Sequence, residues 1–188
     1  MTIGTMDIFL LVIIVSTLIV GFFWGAARSL MLLGAWLLAF MAGAYLKIDF
    51  GSYLAGEWPN LPPLWSEMIA FGTIYVAMLL AAPIIIFVAT RTSQRVTRYQ
   101  MLDDLIGAAF ATFVAVLGVA GILIVLATYY GPGDDLVVSS LGGPEWSANL
   151  YRSLLASSIG SGINDEVVPL IGAILGPVLP ADVREVFG

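Results

Sequence analysis

The acidic residues of the chain that could carry acid–base chemistry occur as three adjacent pairs: Asp103-Asp104, Asp134-Asp135 and Asp165-Glu166. Neighbouring residues on a helix point in directions about 100° apart, so none of these pairs forms a facing dyad. The chain contains no His and no Cys, and Lys47 is its single lysine. Imidazole-based triads, thiolate chemistry and the usual zinc sites are therefore excluded. We predict that the protein is not an enzyme and that it uses no metal ion and no cofactor.

The rest of the sequence is dominated by four stretches without Asp, Glu, Lys or Arg, at residues 8–27, 29–46, 68–90 and 105–133. A helix that crosses the hydrocarbon core of a bilayer needs about 20 apolar residues, and each stretch reaches or approaches that length. Only 11% of the residues are charged, against about 25% in soluble proteins. The sequence predicts an all-α integral membrane protein with four transmembrane helices.

The chain divides by composition into a four-span membrane domain, residues 1–133, and a C-terminal tail, residues 134–188. The tail has apolar residues at roughly helical spacing and is predicted to form short amphipathic helices. Such helices lie along the membrane surface or dock onto a partner, and the sequence favours neither alternative. We expect one tail helix to start at Asn164 and a last one to start at Pro180. The residues predicted to share a helix face are Trp146, Leu150, Leu154 and Ile159.

Arginines are concentrated in two of the connections between spans, which predicts the orientation of the protein. By this rule the two arginine-bearing connections are cytoplasmic and both termini lie on the outer, periplasmic side. The outer connection between spans two and three contains tryptophans that suit the membrane surface. We predict contacts with the lipid interface for Trp58 and Trp65, and also for the arginines between spans three and four, where docking of a cytoplasmic protein is the alternative: Arg91, Arg95 and Arg98.

Small residues recur every fourth position in three spans, and such stripes let helix backbones approach closely in lipid. We expect most of them to pack the bundle itself, while a remaining stripe is available to a partner subunit. The stripes are Ala35, Ala39 and Gly43; Thr73, Ala77 and Ala81; and Gly107, Ala111 and Ala115.

The first two spans are joined with almost no linker, which predicts a tight helical hairpin. Gly21 and Gly25 supply conformational freedom in this turn. Arg28 can extend its charge to the cytoplasmic interface. Span three contains Pro83, which is expected to kink it.

Taken in order, these residues resemble the pattern of the colicin V production protein family. That pattern has an Asp before span one, a Gly-Phe-x-x-Gly-x-x-Arg turn, and a fourth span that opens with Asp and continues with Gly and small residues at every fourth position. The resemblance covers roughly residues 5–130, and an acid that commonly follows the Arg is replaced by Ser29. The matching residues are Asp7, Gly21, Phe22, Gly25, Arg28, Asp103, Gly107, Ala111 and Ala115.

The resemblance implies a non-enzymatic, multi-pass protein of the bacterial inner membrane, linked to toxin export and envelope maintenance. We expect a scaffold or accessory subunit of a larger membrane complex; the alternative is a transport component, such as a homo-oligomeric pore or an export accessory. Its partners are expected to be membrane lipids and other membrane-protein subunits, contacted through the small-residue stripes and the tail. Nucleic acid is not expected, since the chain has only seven Lys and Arg. The residues expected to matter for architecture and interaction are Gly21, Gly25, Arg28, Asp103, Gly107, Ala111 and Ala115.

Overall fold

A computed structural model describes residues 4–58, 62–90, 100–130 and 145–187, and its regular secondary structure in these ranges is helical. The first four helices are α1 (Thr5–Trp24), α2 (Ala26–Glu57), α3 (Pro63–Ala89) and α4 (Gln100–Tyr130). All four are long and apolar enough to cross a membrane. The prediction of an all-α protein with four membrane-spanning helices is confirmed.

Helix α4 forms the centre of the bundle. In its most apolar 18-residue window 67% of the residues are buried, against 17% in α1. Helix α2 packs along α3 and α4, and α1 packs mainly on α4. Helix α1 therefore presents most of its surface to the surrounding lipid, which explains how it remains apolar on nearly every side.

The middle of the bundle is held by an aromatic and hydrogen-bonded contact among three helices. The Trp36 Nε1–H of α2 lies within hydrogen-bond distance of the Tyr75 hydroxyl of α3, at 2.9 Å, and of the Leu117 carbonyl of α4, at 3.0 Å. The Tyr75 hydroxyl in turn donates to the Gly118 carbonyl at 3.1 Å. The Phe40 ring stacks on Trp36 with 5.7 Å between centroids. The buried polar groups of Trp36 and Tyr75 are thus paired, which avoids the cost of an unsatisfied polar group at membrane depth.

Helix α2 is longer than its uncharged stretch. It has 32 residues and continues through Lys47 and Asp49 to Glu57, so its charged residues did not mark the end of the helix. Helix α3 begins at Pro63, where the missing proline N–H costs nothing because it would be unpaired in a first turn. The helix continues across Pro83 without a break.

Residues 145–187, the described part of the tail, form four short α-helices, α5 (Glu145–Ala156), α6 (Ser158–Gly162), α7 (Val168–Leu175) and α8 (Ala181–Arg184). A π-helical segment, Ile163–Val167, joins α6 to α7, and 3₁₀ turns at Gly176–Val178 and Glu185–Phe187 flank α8.

These helices dock on the protein itself, because their buried side chains belong to the same hydrophobic core as α4. The Tyr151 ring stacks on Tyr130 at 5.8 Å between centroids, and burial raises the pKa of the Tyr151 phenol. The other buried apolar residues of the tail in this core are Ala148, Leu154, Ile163, Val168, Ile171, Leu179 and Val183.

Two details of the predicted tail are wrong. No helix starts at Asn164, because Ser157 caps the chain earlier: its Oγ accepts the Gly160 N–H at 2.8 Å. Asn164 lies inside the π-helical segment that follows. The predicted apolar face also differs, since Trp146 is exposed while Ala148, Tyr151 and Leu154 are buried. The last helix does start next to Pro180, at Ala181.

Candidate functional site

One end of the bundle brings the turn between α1 and α2 against the first turns of α4. We call the residues that meet there the glycine crossing: Gly21 from the last turn of α1, Gly25 from the turn, and Asp103, Gly107 and Ala111 from α4. A single residue, Gly25, separates α1 from α2, and its φ of 78° is a conformation that only glycine adopts readily. The residues that the sequence pattern singled out in two distant segments therefore lie together.

The crossing depends on backbone surfaces without side chains. A Cβ atom placed on Gly21 would lie 2.3 Å from the Ala111 Cβ and 2.6 Å from the Gly107 carbonyl oxygen. A Cβ on Gly107 would lie 2.5 Å from the Gly25 carbonyl carbon. These separations are far below van der Waals contact, so glycine is required on both helices for this approach.

Asp103 contributes a hydrogen bond across the crossing. Its Oδ1 accepts the Ala26 N–H, the first residue of α2, at 3.2 Å. The first N–H groups of a helix have no partner within the helix, and a carboxylate there also interacts favourably with the helix dipole. A Cβ on Gly25 would lie only 2.3 Å from Asp103 Oδ2. Asp103 of α4 thus supplies the acceptor that caps the N-terminus of α2, which α2 does not supply from its own side chains.

Arg28 connects the same turn to the end of α3. Its Nη2 donates to the Thr90 carbonyl at 3.0 Å, which satisfies one of the unpaired carbonyls at a helix C-terminus. Nearby, the Trp24 and Phe87 rings stack with 6.4 Å between centroids. The turn therefore holds the ends of α3 and α4 as well as joining α1 to α2.

The other predicted residues are distributed differently. Ala115 is buried on α4, one turn beyond Ala111. Arg91, Arg95 and Arg98 lie outside the described residues. Trp58 is 56% exposed, but Trp65 is only 2% exposed. Because α3 begins at Pro63, Trp65 points into the bundle from a helix, and it does not have the surface exposure expected for a residue at the lipid interface.

The three small-residue stripes also differ in their surroundings. On α2, Ala39 is buried and Gly43 packs so closely on the Phe71 ring that a Cβ would lie 2.6 Å from it. The α4 stripe forms part of the crossing. On α3, by contrast, Thr73 and Ala77 are exposed. Ala81, the third residue of this α3 stripe, is half-buried.

At the opposite end of the bundle, contacts that the sequence did not reveal attach the tail. Lys47 of α2 is fully buried and forms an ion pair with Asp182 of α8, whose side chain is 51% exposed. The lysine ammonium lies 5.6 Å from the ring centroids of both Phe71 and Tyr129. We call this ion pair and the Asp7 contact described next the tail lock. In the sequence, the one indication of the Lys47 contact is a single lysine next to an apolar stretch.

Asp7 at the start of α1 makes the second contact of the tail lock. Its carboxylate accepts the N–H groups of Gly4 and Ile159, each at 3.0 Å. The first bond caps α1, and the second joins α1 to α6 across the sequence. Asp7 was recognised as part of the family pattern, but its partner in the tail was not.

The acidic and basic groups described at the two ends form hydrogen bonds, helix caps and an ion pair. In the described ranges, no three His, Cys, Asp or Glu side chains are grouped so that they could hold a metal ion. The acidic groups of the crossing and the tail lock are engaged with backbone N–H groups or with Lys47. Their arrangement is that of a structural framework.

The chain matches the family described as "Colicin V production protein" over residues 6–149. The match contains every residue of the glycine crossing and continues beyond residue 130 into α5. No curated protein and no solved structure gives a significant match. Since the match covers well over half of the 188 residues, the chain belongs to the colicin V production protein family.

Proposed function

We propose that the protein is a non-enzymatic scaffold or accessory subunit of a larger membrane complex that serves toxin export and envelope maintenance. Membership of the family supports a role in colicin V production. The family is not known for an enzymatic activity. We therefore infer that the protein contributes a surface for partners and a fixed framework of helices.

The observation that carries this proposal is where the motif residues direct their polar groups. Asp103 caps α2 and Arg28 binds the end of α3, while Gly21 and Gly107 are occupied by close helix contact. These groups contact other parts of the same chain. Motif residues that fix the helices relative to one another allow a subunit to present a constant surface to its partners.

The exposed α3 stripe is the surface we propose for a partner helix. Thr73 and Ala77 lie one turn apart on α3 and are exposed, whereas Ala39 and Gly43 of the α2 stripe and the α4 stripe are buried. In lipid, small residues permit close approach of a second helix, and van der Waals packing then drives association. The partner expected here is a transmembrane helix of another subunit.

The experiment is mild extraction of the full chain from its native membrane, followed by native gels and mass spectrometry. We expect a discrete complex that Ala77→Leu disrupts, because the added side chain separates the helices. Val76→Leu is the matched control, since Val76 is also exposed but points elsewhere on α3. A stable, partner-free monomer would contradict the proposal. Ion conductance of the purified protein in vesicles would favour a transport role.

We further propose that the protein lies in the bacterial inner membrane with both termini on the periplasmic side. The support is the excess of arginine in the connections after spans one and three. Single cysteines at positions 95 and 135, labelled from one side of intact cells, test this orientation. The two positions are expected to react from opposite sides, and labelling from the same side would refute the four-crossing arrangement.

A further inference from the structure

An apolar groove opens between α2 and α3 on the outside of the bundle. Its volume is about 650 Å³, which is within the range of small-ligand pockets. A Cβ placed on Gly34, in the groove wall, would meet no atom within 4 Å, so the groove has room at its centre. Its walls consist of apolar side chains and this glycine, including Met31, Gly34 and Leu38 from α2 and Met78, Ala82 and Ile86 from α3.

One end of this groove carries a guanidinium group. Arg28, Met31, Ala35 and Leu38 are spaced by three or four residues, so they follow one face of α2. On α3, Thr90 lies one turn beyond Ile86. Because Arg28 Nη2 binds the Thr90 carbonyl, the guanidinium sits one turn past the last groove residues of both helices.

Among the described residues, no acidic side chain forms an ion pair with Arg28, whereas Lys47 is paired with Asp182. Guanidinium has five N–H donors in a planar fork, and the Thr90 carbonyl accepts from one of its nitrogens. The fork matches the oxygen atoms of a phosphate, which it can bind through two hydrogen bonds. A partly buried cation at the end of an apolar groove therefore complements a ligand with an anionic head and an apolar chain.

The dimensions agree with a lipid in one leaflet. From Arg28 to Leu38 the α2 axis rises about 15 Å, at 1.5 Å per residue. Half of the hydrocarbon core of a bilayer is also about 15 Å thick. We propose that Arg28 and this groove form a binding site for one anionic phospholipid, with its phosphate on Arg28 and an acyl chain between α2 and α3. This proposal is independent of the scaffold function.

The test uses the purified full chain in nanodiscs of phosphatidylglycerol or phosphatidylcholine with identical acyl chains, and mixtures of the two. Native mass spectrometry counts the lipids that stay bound after release. One retained phosphatidylglycerol per chain is expected, preferred about fivefold over phosphatidylcholine, as one favourable charge contact near the surface would give. Equal retention of the two lipids by the wild-type chain would overturn the proposal.

Three variants test the binding of the lipid headgroup and of its acyl chain separately. Arg28→Gln is expected to remove the preference for phosphatidylglycerol. Arg152→Gln, an exposed position on α5, is the matched control and is expected to keep the preference. Gly34→Leu is expected to reduce retention of both lipids, because Gly34 lines the groove and a Cβ there meets no atom within 4 Å, so the leucine side chain can occupy space meant for the acyl chain.

Loss of the Arg28–Thr90 bond could also loosen α3, so circular dichroism and thermal unfolding accompany each variant. If Arg28→Gln does not fold, Arg28→Lys keeps the charge and is expected to retain the lipid preference, and Gly34→Leu still tests the groove. Unchanged lipid retention in Gly34→Leu would overturn the proposal. So would the release by this variant of a co-purifying protein with no change in bound lipid, because the groove would then hold a partner helix.

Discussion

The two ends of the bundle are held together in different ways. At the glycine crossing, helices meet through bare backbone, and the distances leave no space for one extra carbon atom. At the tail lock, side chains that lie 135 and 152 residues from their partners join through charge and hydrogen bonds. The glycine crossing is therefore expected to be sensitive to added side-chain volume, and the tail lock to the loss of a charge. The first is expected to determine whether the bundle forms, and the second whether the tail stays attached.

The largest effect is expected from adding volume to the crossing. In Gly107→Leu the new side chain meets the backbone of Gly21 and Gly25, which cannot give way as a side chain can. We expect destabilisation of about 3 kcal/mol, at the upper end of the overpacking range, measured by thermal unfolding in detergent. Leu105→Ala is the control, because Leu105 is 60% exposed. Equal stability of the two variants would contradict the steric account.

A smaller effect is expected from removing the exposed partner of the tail lock. Asp182→Asn leaves the Lys47 ammonium buried without its counter-ion, which costs about 3 kcal/mol unless the structure opens. Because α8 is short and lies at the end of the tail, we expect local detachment to limit the loss of global stability to about 1–2 kcal/mol. Hydrogen exchange is expected to rise across α7 and α8 and to stay unchanged at the crossing.

The reciprocal variant sharpens the same comparison. Lys47→Met removes the buried charge and leaves Asp182 with half of its side chain in solvent, so no buried ion remains unpaired. We expect Lys47→Met to destabilise less than Asp182→Asn, by about 1 kcal/mol. Protection of α8 from proteolysis, compared between the two variants, checks this order. The reverse order would mean that the apolar stem of Lys47 matters more than its charge.

Loss of the cap at the crossing is expected to have a more modest effect. Asp103→Ala removes the acceptor of the Ala26 N–H but adds no volume. We expect destabilisation of about 1 kcal/mol, as for other helix caps. Unfolding in detergent measures it, with Asp49→Ala as a control on the same helix that Asp103 caps. An effect as large as that of Gly107→Leu would show that charge, too, is essential at the crossing.

The smallest effect is expected at Asp7. Gly4 and Ile159 donate to different oxygens of Asp7, so Asp7→Asn, with one acceptor oxygen, can keep only one of these two hydrogen bonds, and we expect the bond to Ile159 to be lost. We expect faster exchange of the Ile159 amide and an unchanged unfolding temperature. The comparison would be wrong if this conservative change loosened α1 from α4 at the crossing.

The sequence was sufficient for the four spans, because long apolar runs can be buried in lipid whatever their neighbours are. It was also sufficient to select Gly21, Gly25, Asp103 and Gly107 as a set, since their spacing follows a recognisable pattern. It could not show that Asp103 caps α2, because that contact depends on how two helices cross.

Long-range contacts account for the errors as well. Trp65 is predicted at the lipid interface because tryptophan favours the membrane surface, yet it lies in a helix that turns it towards the core. The helix start at Asn164 was plausible locally, but Ser157 caps the chain earlier. The partner of Lys47 could not be inferred, because 135 residues separate it from Asp182 and no local pattern encodes their contact.

The length of α2 has a consequence for anything that approaches the protein from the tail side. Lys47 lies about 32 Å along the axis from Ala26, which is close to the full thickness of the hydrocarbon layer. The ten residues that follow, 48–57, continue the helix for about another 15 Å. We expect these residues to extend beyond the hydrocarbon layer, and the nearby Tyr45 hydroxyl donates to the Val178 carbonyl of the tail. A partner protein that approaches from that side would contact this end of α2 before it reaches the bilayer surface.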